Sequence, residues 1–190
     1  MGLRQLGDAT DAVEAIDPAK AFVERGSEII GSHLSNILVS GFNKSDKTRV
    51  TGQLADVAWL RQQPWVDCAH IGVFGWSYGG YMSLMLLATA SDRIAAGVTV
   101  APVTDWTLYD THYTERHLDT LQHNPQGYEL SVVPHWLGDR KSSLRLVHGM
   151  ANAKVLLANS TKPTARVEQR GVQFHLMTYP GAKHGLSTPH

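Results

Sequence analysis

Gly75-Trp76-Ser77-Tyr78-Gly79-Gly80 follows the apolar run His70-Ile71-Gly72-Val73-Phe74 and opens a second one, Tyr81-Met82-Ser83-Leu84-Met85-Leu86-Leu87. A buried strand, a tight turn and a helix are read in that order. The pattern Gly-x-Ser-x-Gly is weak by itself. Its context makes it a nucleophile elbow, in which a sharp turn holds a serine in a strained conformation at the start of a helix. Glycines are expected where helix and strand come close, and the Tyr78 N–H at the helix N-terminus is placed to donate to a developing oxyanion.

Outward from the elbow, strands and helices alternate. Asp17-Pro18 starts a helix that carries Phe22, Gly26, Ile29 and Ile30 on one face, and Asn36-Ile37-Leu38-Val39-Ser40 is a short buried strand. After the loop FNKSDKTR, residues 48 to 62 form an amphipathic helix that Gln62-Gln63-Pro64 stops. The strand at 70 to 74 leads into the elbow, whose helix runs to about Ala90. Residues 94 to 100 make the next strand, closed by Ala101-Pro102, and a loop region rich in Trp, Tyr and His follows. Two more strands, 144 to 148 and 173 to 178, flank a helical segment from about Val155 to Arg170 that Pro163 is expected to interrupt. Such alternation predicts an α/β fold, a mainly parallel sheet with helices on both faces.

The 190 residues suffice for one domain, 1 to 190, with no internal repeat or linker. Seventeen basic residues balance seventeen acidic ones, so nothing in the charge favours nucleic acid as a partner. No apolar stretch is long enough to span a membrane, and the N-terminal residues lack the pattern of a signal peptide, so a cytoplasmic location is expected. Cys68 is the only cysteine and is read as structural. Metal-ligand spacing is lacking, and no cofactor is expected.

Ser77 needs a general base. In α/β-hydrolases a histidine late in the chain serves, with an orienting acid between the two in chain order. His184, in Pro180-Gly181-Ala182-Lys183-His184-Gly185 after the last strand, is the candidate. His112, His117, His123, His135 and His175 read as surface or loop residues, and His148, ending a strand beside Gly149, as structural. The acid belongs after the strand at 144 to 148, but His148-Gly149-Met150-Ala151-Asn152-Ala153-Lys154 contains no carboxylate.

GQLADVAWLRQQPWVD, HIGVFGWSYGGYMSLMLL, APVTDWTLYDTHYTER and MTYPGAKHGLS together resemble the hydrolase domain of the prolyl oligopeptidase family, most of all bacterial dipeptidyl peptidase IV-like enzymes, over about residues 52 to 187. The resemblance implies an α/β-hydrolase fold and cleavage after a proline or alanine at the second position of a peptide. It matches Ser77 to the nucleophile and His184 to the base. It places Trp106, Tyr109 and Tyr113 in a proline-accepting pocket, with Tyr78, Val103 and Val155 beside them. Flat aromatic walls suit a proline ring because they bury its apolar faces at little cost in side-chain entropy.

The departures are concentrated. The family's HGxADDNV reads HGMANAKV here, which puts Asn152 at the triad acid position and replaces the Asp and Asn that follow with Ala153 and Lys154. A neutral amide is expected to accept from the imidazole without stabilising the imidazolium. In a serine protease the comparable Asp to Asn change lowers turnover about ten thousandfold, roughly 5 kcal/mol of barrier. No YGGP-like segment, the source of a second oxyanion donor, precedes the first helix. The chain is therefore expected to be a diverged member truncated at the early strands and the C-terminal helix, with exposed strand edges that favour a homo-oligomer.

Two functions follow. One is a weakened serine hydrolase acting on a peptide or small ester, with esters favoured because their leaving groups depart more readily. The alternative is a catalytically inactive hydrolase-like domain that serves as a binding or oligomerisation module.

Overall fold

The computed structural model describes residues 46–133, 137, 142–169, 171 and 173–186. The expected helix after Asp17-Pro18, the expected strand at 36 to 40, and His135 lie outside the described residues. Four strands, β1 (Gly72–Trp76), β2 (Ala96–Val100), β3 (Ser143–Gly149) and β4 (His175–Tyr179), form one sheet in that order, and every pair is parallel. Helix α1 (Asp46–Leu60) precedes β1, and α2 (Tyr78–Thr89) connects β1 to β2. The long connection to β3 carries a 3-10 turn at Trp106–Leu108, α3 (Thr111–Leu118) and α4 (Pro125–Leu130), and α5 (Ala158–Gln169) connects β3 to β4.

The parallel register gives the sheet two unlike faces. Gly97 pairs with Leu144 and Thr99 with Leu146, so these residues share a face, and His148 continues it along β3. Leu87 of α2 lies over Gly97, and Ser160 of α5 bonds His148, so both helices pack there. Tyr81, Leu84, Leu87, Leu144, Leu146 and Val167 build the core on this side. The opposite face presents Phe74, Trp76, Met177 and Tyr179, all exposed. Among the described residues no helix is long and apolar enough to cross a membrane.

Three elements depart from expectation for identifiable reasons. β1 begins at Gly72 because His70 turns back, its Nδ1 2.7 Å from Asp67 Oδ2 and its N–H donating to the Asp67 carbonyl at 3.1 Å. The aromatic loop region is organised by caps: Asp105, Asp110 and Asn124 accept from the N–H groups of Thr107, Tyr113 and Gly127. Finally, α5 runs unbroken through Pro163. Proline leaves the carbonyl four residues back without its helical donor. That carbonyl belongs to Asn159, and Thr104 Oγ1 donates to it at 2.5 Å.

Cys68 has the structural role expected. Its thiol donates to the Arg61 carbonyl at 3.2 Å, and Arg61 Nη1 returns a bond to the Cys68 carbonyl at 3.0 Å.

The glycines of the elbow are not equivalent. A Cβ at Gly75 would overlap the Gly79 carbonyl and lie 2.6 Å from Ser83 Oγ, and one at Gly80 would press on Pro102. At Gly79 it would meet no atom within 4 Å among the described residues. Gly75→Ala is accordingly expected to lose about 1–3 kcal/mol or more of stability in urea unfolding, since rigid backbone must move. Gly79→Ala is expected to gain about 0.5–1 kcal/mol from helix propensity.

Candidate active site

Ser77 stands between β1 and α2 with φ 56° and ψ −115°. Positive φ in a residue with a Cβ costs about 1–3 kcal/mol and persists only where neighbours enforce it. Here the Ser77 N–H donates to the Val100 carbonyl at 2.8 Å, and its own carbonyl accepts from the Tyr81 N–H at 3.1 Å. The side chain makes no capping bond to α2. Tyr78 is the first residue of that helix, so its N–H belongs to the positive end of the helix dipole.

His184 reaches the same end of the sheet from the loop after β4. Trp76 Nε1–H, one residue before the serine, donates to the His184 carbonyl at 3.1 Å. The loop also lies against the turn after β3, where the Ala151 N–H donates to the Ala182 carbonyl at 3.0 Å and the Met150 N–H to Tyr179 at 2.9 Å. Gly149 is required there, because a Cβ would overlap the Ala182 carbonyl. Among the described residues no hydrogen bond joins Ser77 Oγ to the imidazole, a bond that commonly tightens only when substrate is present.

Asn152 is buried beside that imidazole. Its Oδ1 accepts from the N–H groups of Lys154 at 3.0 Å and Val155 at 2.9 Å, and its Nδ2 lies 3.1 Å from His184 Nδ1. The two backbone donors decide which way the amide faces: a flipped amide would set its NH2 against two N–H groups. The amide therefore donates to His184 Nδ1, where the sequence reading has it accept. Nδ1 is then unprotonated, and the ring proton sits on Nε2. Burial first, then the Lys154 charge and His148, hold the imidazole below its ordinary pKa, so it is neutral at pH 7.

His148 is fully buried and neutral, its pKa lowered by burial against a smaller opposing effect of its bond to Val155. Its Nε2–H donates to the Val155 carbonyl at 2.9 Å, leaving Nδ1 to accept from Ser160 Oγ at 2.7 Å. Ser160, Trp76 and Gly149 are not among the site residues read from the sequence, which takes His148 as a structural residue ending a strand. Only the juxtaposition of His148 and Gly149 at a strand end signals them.

The expected pocket residues divide by burial. Trp106, Val103 and Val155 lie in the core. Tyr78, Tyr109 and Tyr113 keep partial exposure around Trp106: Tyr113 stacks on it at 6.0 Å, and Tyr109 meets it edge-on at 5.8 Å. Asp110 fixes Tyr113 by accepting its N–H at 2.8 Å. Burial raises the Tyr109 phenol, with Asp110 and Tyr113 adding to the effect, so it stays protonated.

Residues 25–190 match the model of the prolyl oligopeptidase family. The chain belongs to that family. Prolyl oligopeptidase family members are serine peptidases on an α/β-hydrolase fold, the architecture described above. The chain is 38% identical over 132 residues to "Probable dipeptidyl-aminopeptidase B" of Talaromyces marneffei, covering 68% of this chain and 15% of that one. It is 36% identical over 155 residues to "Probable dipeptidyl peptidase 4" of Aspergillus flavus, covering 76% and 20%. Among solved structures it is similar to Porphyromonas gingivalis dipeptidyl peptidase 4, with TM-score 0.71 and 36% identity over 74% of this chain and 20% of that one. The chain thus spans between 15% and 20% of the length of these relatives.

A pH dependence of stability follows from the two neutral histidines. Both have lowered pKa values when folded, so below about pH 6.5 the unfolded chain binds more protons than the native one. Their contribution is complete above about pH 6.5 and is lost as the pH falls toward the folded values. Melting temperature is expected to drop between about pH 7.5 and pH 5, and less steeply in His148→Gln.

Proposed function

We propose that this chain carries a serine-hydrolase centre in which Ser77 is the nucleophile and His184 the base, weak toward amides and more capable toward activated esters. The observation that carries the reading is the contact between Asn152 Nδ2 and His184 Nδ1. To take the Ser77 proton, His184 must present a bare Nε2 and so carry its proton on Nδ1. That tautomer turns an N–H toward the amide NH2, and the two backbone amides at Oδ1 oppose rotation of the amide. An imidazolium, formed as the serine attacks, suffers the same opposition and the Lys154 charge as well.

An amide substrate needs the histidine twice, as base for attack and as acid for the leaving amine. An activated ester expels a stable anion and needs no proton there, so it loses only the base assistance, about 100 to 10,000-fold. The Tyr78 N–H is the oxyanion donor in this scheme. The substrate's acyl portion is a short peptide or small acyl group that packs on the exposed edges of Tyr78, Tyr109 and Tyr113, with Trp106, Val103 and Val155 supporting them from behind. The names of the relatives favour a dipeptide released from a peptide N-terminus.

The experiment compares hydrolysis of a p-nitrophenyl ester and a Gly-Pro anilide by the wild type, Ser77→Ala and Asn152→Asp. Ester turnover is expected in the wild type and lost in Ser77→Ala. Asn152→Asp is expected to raise turnover on the anilide by up to about ten thousandfold. Equal rates in Ser77→Ala and wild type on both substrates would sink the hydrolase reading and leave the binding module.

A further inference from the structure

The turn after β3 divides its side chains between core and solvent. Asn152 and Val155 are buried, while Ala153 and Lys154 are exposed. Lys154 is fixed at its backbone, where its N–H donates to Asn152 Oδ1 at 3.0 Å, and the same amide group lies 3.1 Å from His184 Nδ1. Val155, the next residue, belongs to the core against which Tyr78, Tyr109 and Tyr113 pack. Lys154 thus sits between the partner of the imidazole and the support of the aromatic wall. Of the two exposed lysines beside the histidine, Lys154 and Lys183, it is Lys154 whose charge bears on the imidazole.

No carboxylate of the fold answers that charge. The acidic residues that flank the aromatic wall are engaged elsewhere: Asp105 pairs with Lys162 at 3.5 Å and accepts from Thr107 Oγ1 at 2.6 Å, and Asp110 accepts the Tyr113 N–H at 2.8 Å. Among the described residues no ion pair involves Lys154. A lysine ammonium is a compact charge on a flexible stem, able to meet an anion over a range of positions. Left alone it works against the site, because it opposes the imidazolium that forms as Ser77 attacks. A group that neutralised the ammonium would remove that opposition.

We propose that Lys154 is a specificity-determining residue that receives a carboxylate on the acyl portion of the substrate, so that the site favours anionic acyl groups, such as a peptide segment with an acidic side chain, over neutral ones. The carboxylate acts twice. It adds an ion pair at binding, and by cancelling the ammonium it lets His184 take the Ser77 proton more readily. The second effect exists only as the imidazole becomes charged, so it enters kcat as well as KM. The proposal names the substrate class of the centre formed by Ser77 and His184 and rests on that reading.

Three p-nitrophenyl esters that differ at the far end of the acyl chain test it: a neutral hexanoate, an anionic adipate half-ester, and a hexanoate ending in trimethylammonium. Background hydrolysis is taken from Ser77→Ala. The kcat/KM of the half-ester relative to hexanoate is expected to be about two- to fivefold higher in the wild type than in Lys154→Met, and the difference to shrink at high salt. Part of it is expected in kcat. Lys154→Arg is expected to keep the preference, and Lys154→Glu to transfer it to the trimethylammonium ester. In Ser77→Ala, proton NMR is expected to show the His184 imidazole titrating higher when adipic acid monoamide is added, and Lys154→Met in that background to abolish the response.

Equal selectivity in the wild type, Lys154→Met and Lys154→Glu overturns the proposal, and the hydrolase reading stands if turnover still needs Ser77. A preference for the half-ester that survives in Lys154→Met overturns it as well. Absence of Ser77-dependent turnover with every ester, together with a Lys154-dependent response of His184 to the monoamide, would overturn the hydrolase reading and keep the anion site. Absence of both overturns both.

Discussion

The arrangement depends on the close approach of α2 to β1 at Gly75. Because a bare Cα is all that fits beneath the Gly79 carbonyl, the chain can reverse from strand to helix within one residue, and Ser77 takes the strain of that reversal. A looser turn would relieve the serine and carry Tyr78 away from the strand ends. The same constraint sets the helix over Gly97 and Leu144, so the core and the elbow share one cause. Strain at Ser77 is thus maintained by packing that extends through the domain.

The other half of the site is assembled from separate strands and joined by backbone contacts. Trp76 of β1 holds the His184 loop, and the turn after β3 grips that loop at Ala182. Parallel pairing puts the carboxyl ends of all these strands together, where loops from distant parts of the sequence meet. Serine, histidine and asparagine then fall within one neighbourhood although 107 positions separate Ser77 from His184. In this neighbourhood the nitrogen of the Asn152 amide faces the imidazole, so the side chain beside Nδ1 is a donor and not an acceptor.

Much of this is legible in the sequence. The elbow, its helix and the strands follow from local patterns, because each depends on neighbours within a few residues, while the reading of Asn152 as the partner of His184 rests on the resemblance to the family motif. The direction of the Asn152 amide does not, since it is dictated by backbone N–H groups whose orientation only the folded turn defines. Burial of Trp106, Val103 and Val155 is likewise set by elements that arrive from elsewhere. Pro163 misleads for the same reason. Local chemistry says that it breaks a helix, while the residue that repairs the defect, Thr104, lies far up the chain.

That repair ties α5 to the connection that precedes β3. A proline inside a helix costs about 3 kcal/mol in isolation, so α5 is a poor helix until Thr104 is beside it. Thr104 follows β2 and its N–H donates to the Asn159 side chain at 2.9 Å, so both bonds form only when β3 has brought α5 against the preceding connection. Contacts between such distant residues require closing a long loop first, which slows folding. The last crossover therefore owes its helix to a residue 55 positions upstream, and the loop bearing His184 is anchored beyond it.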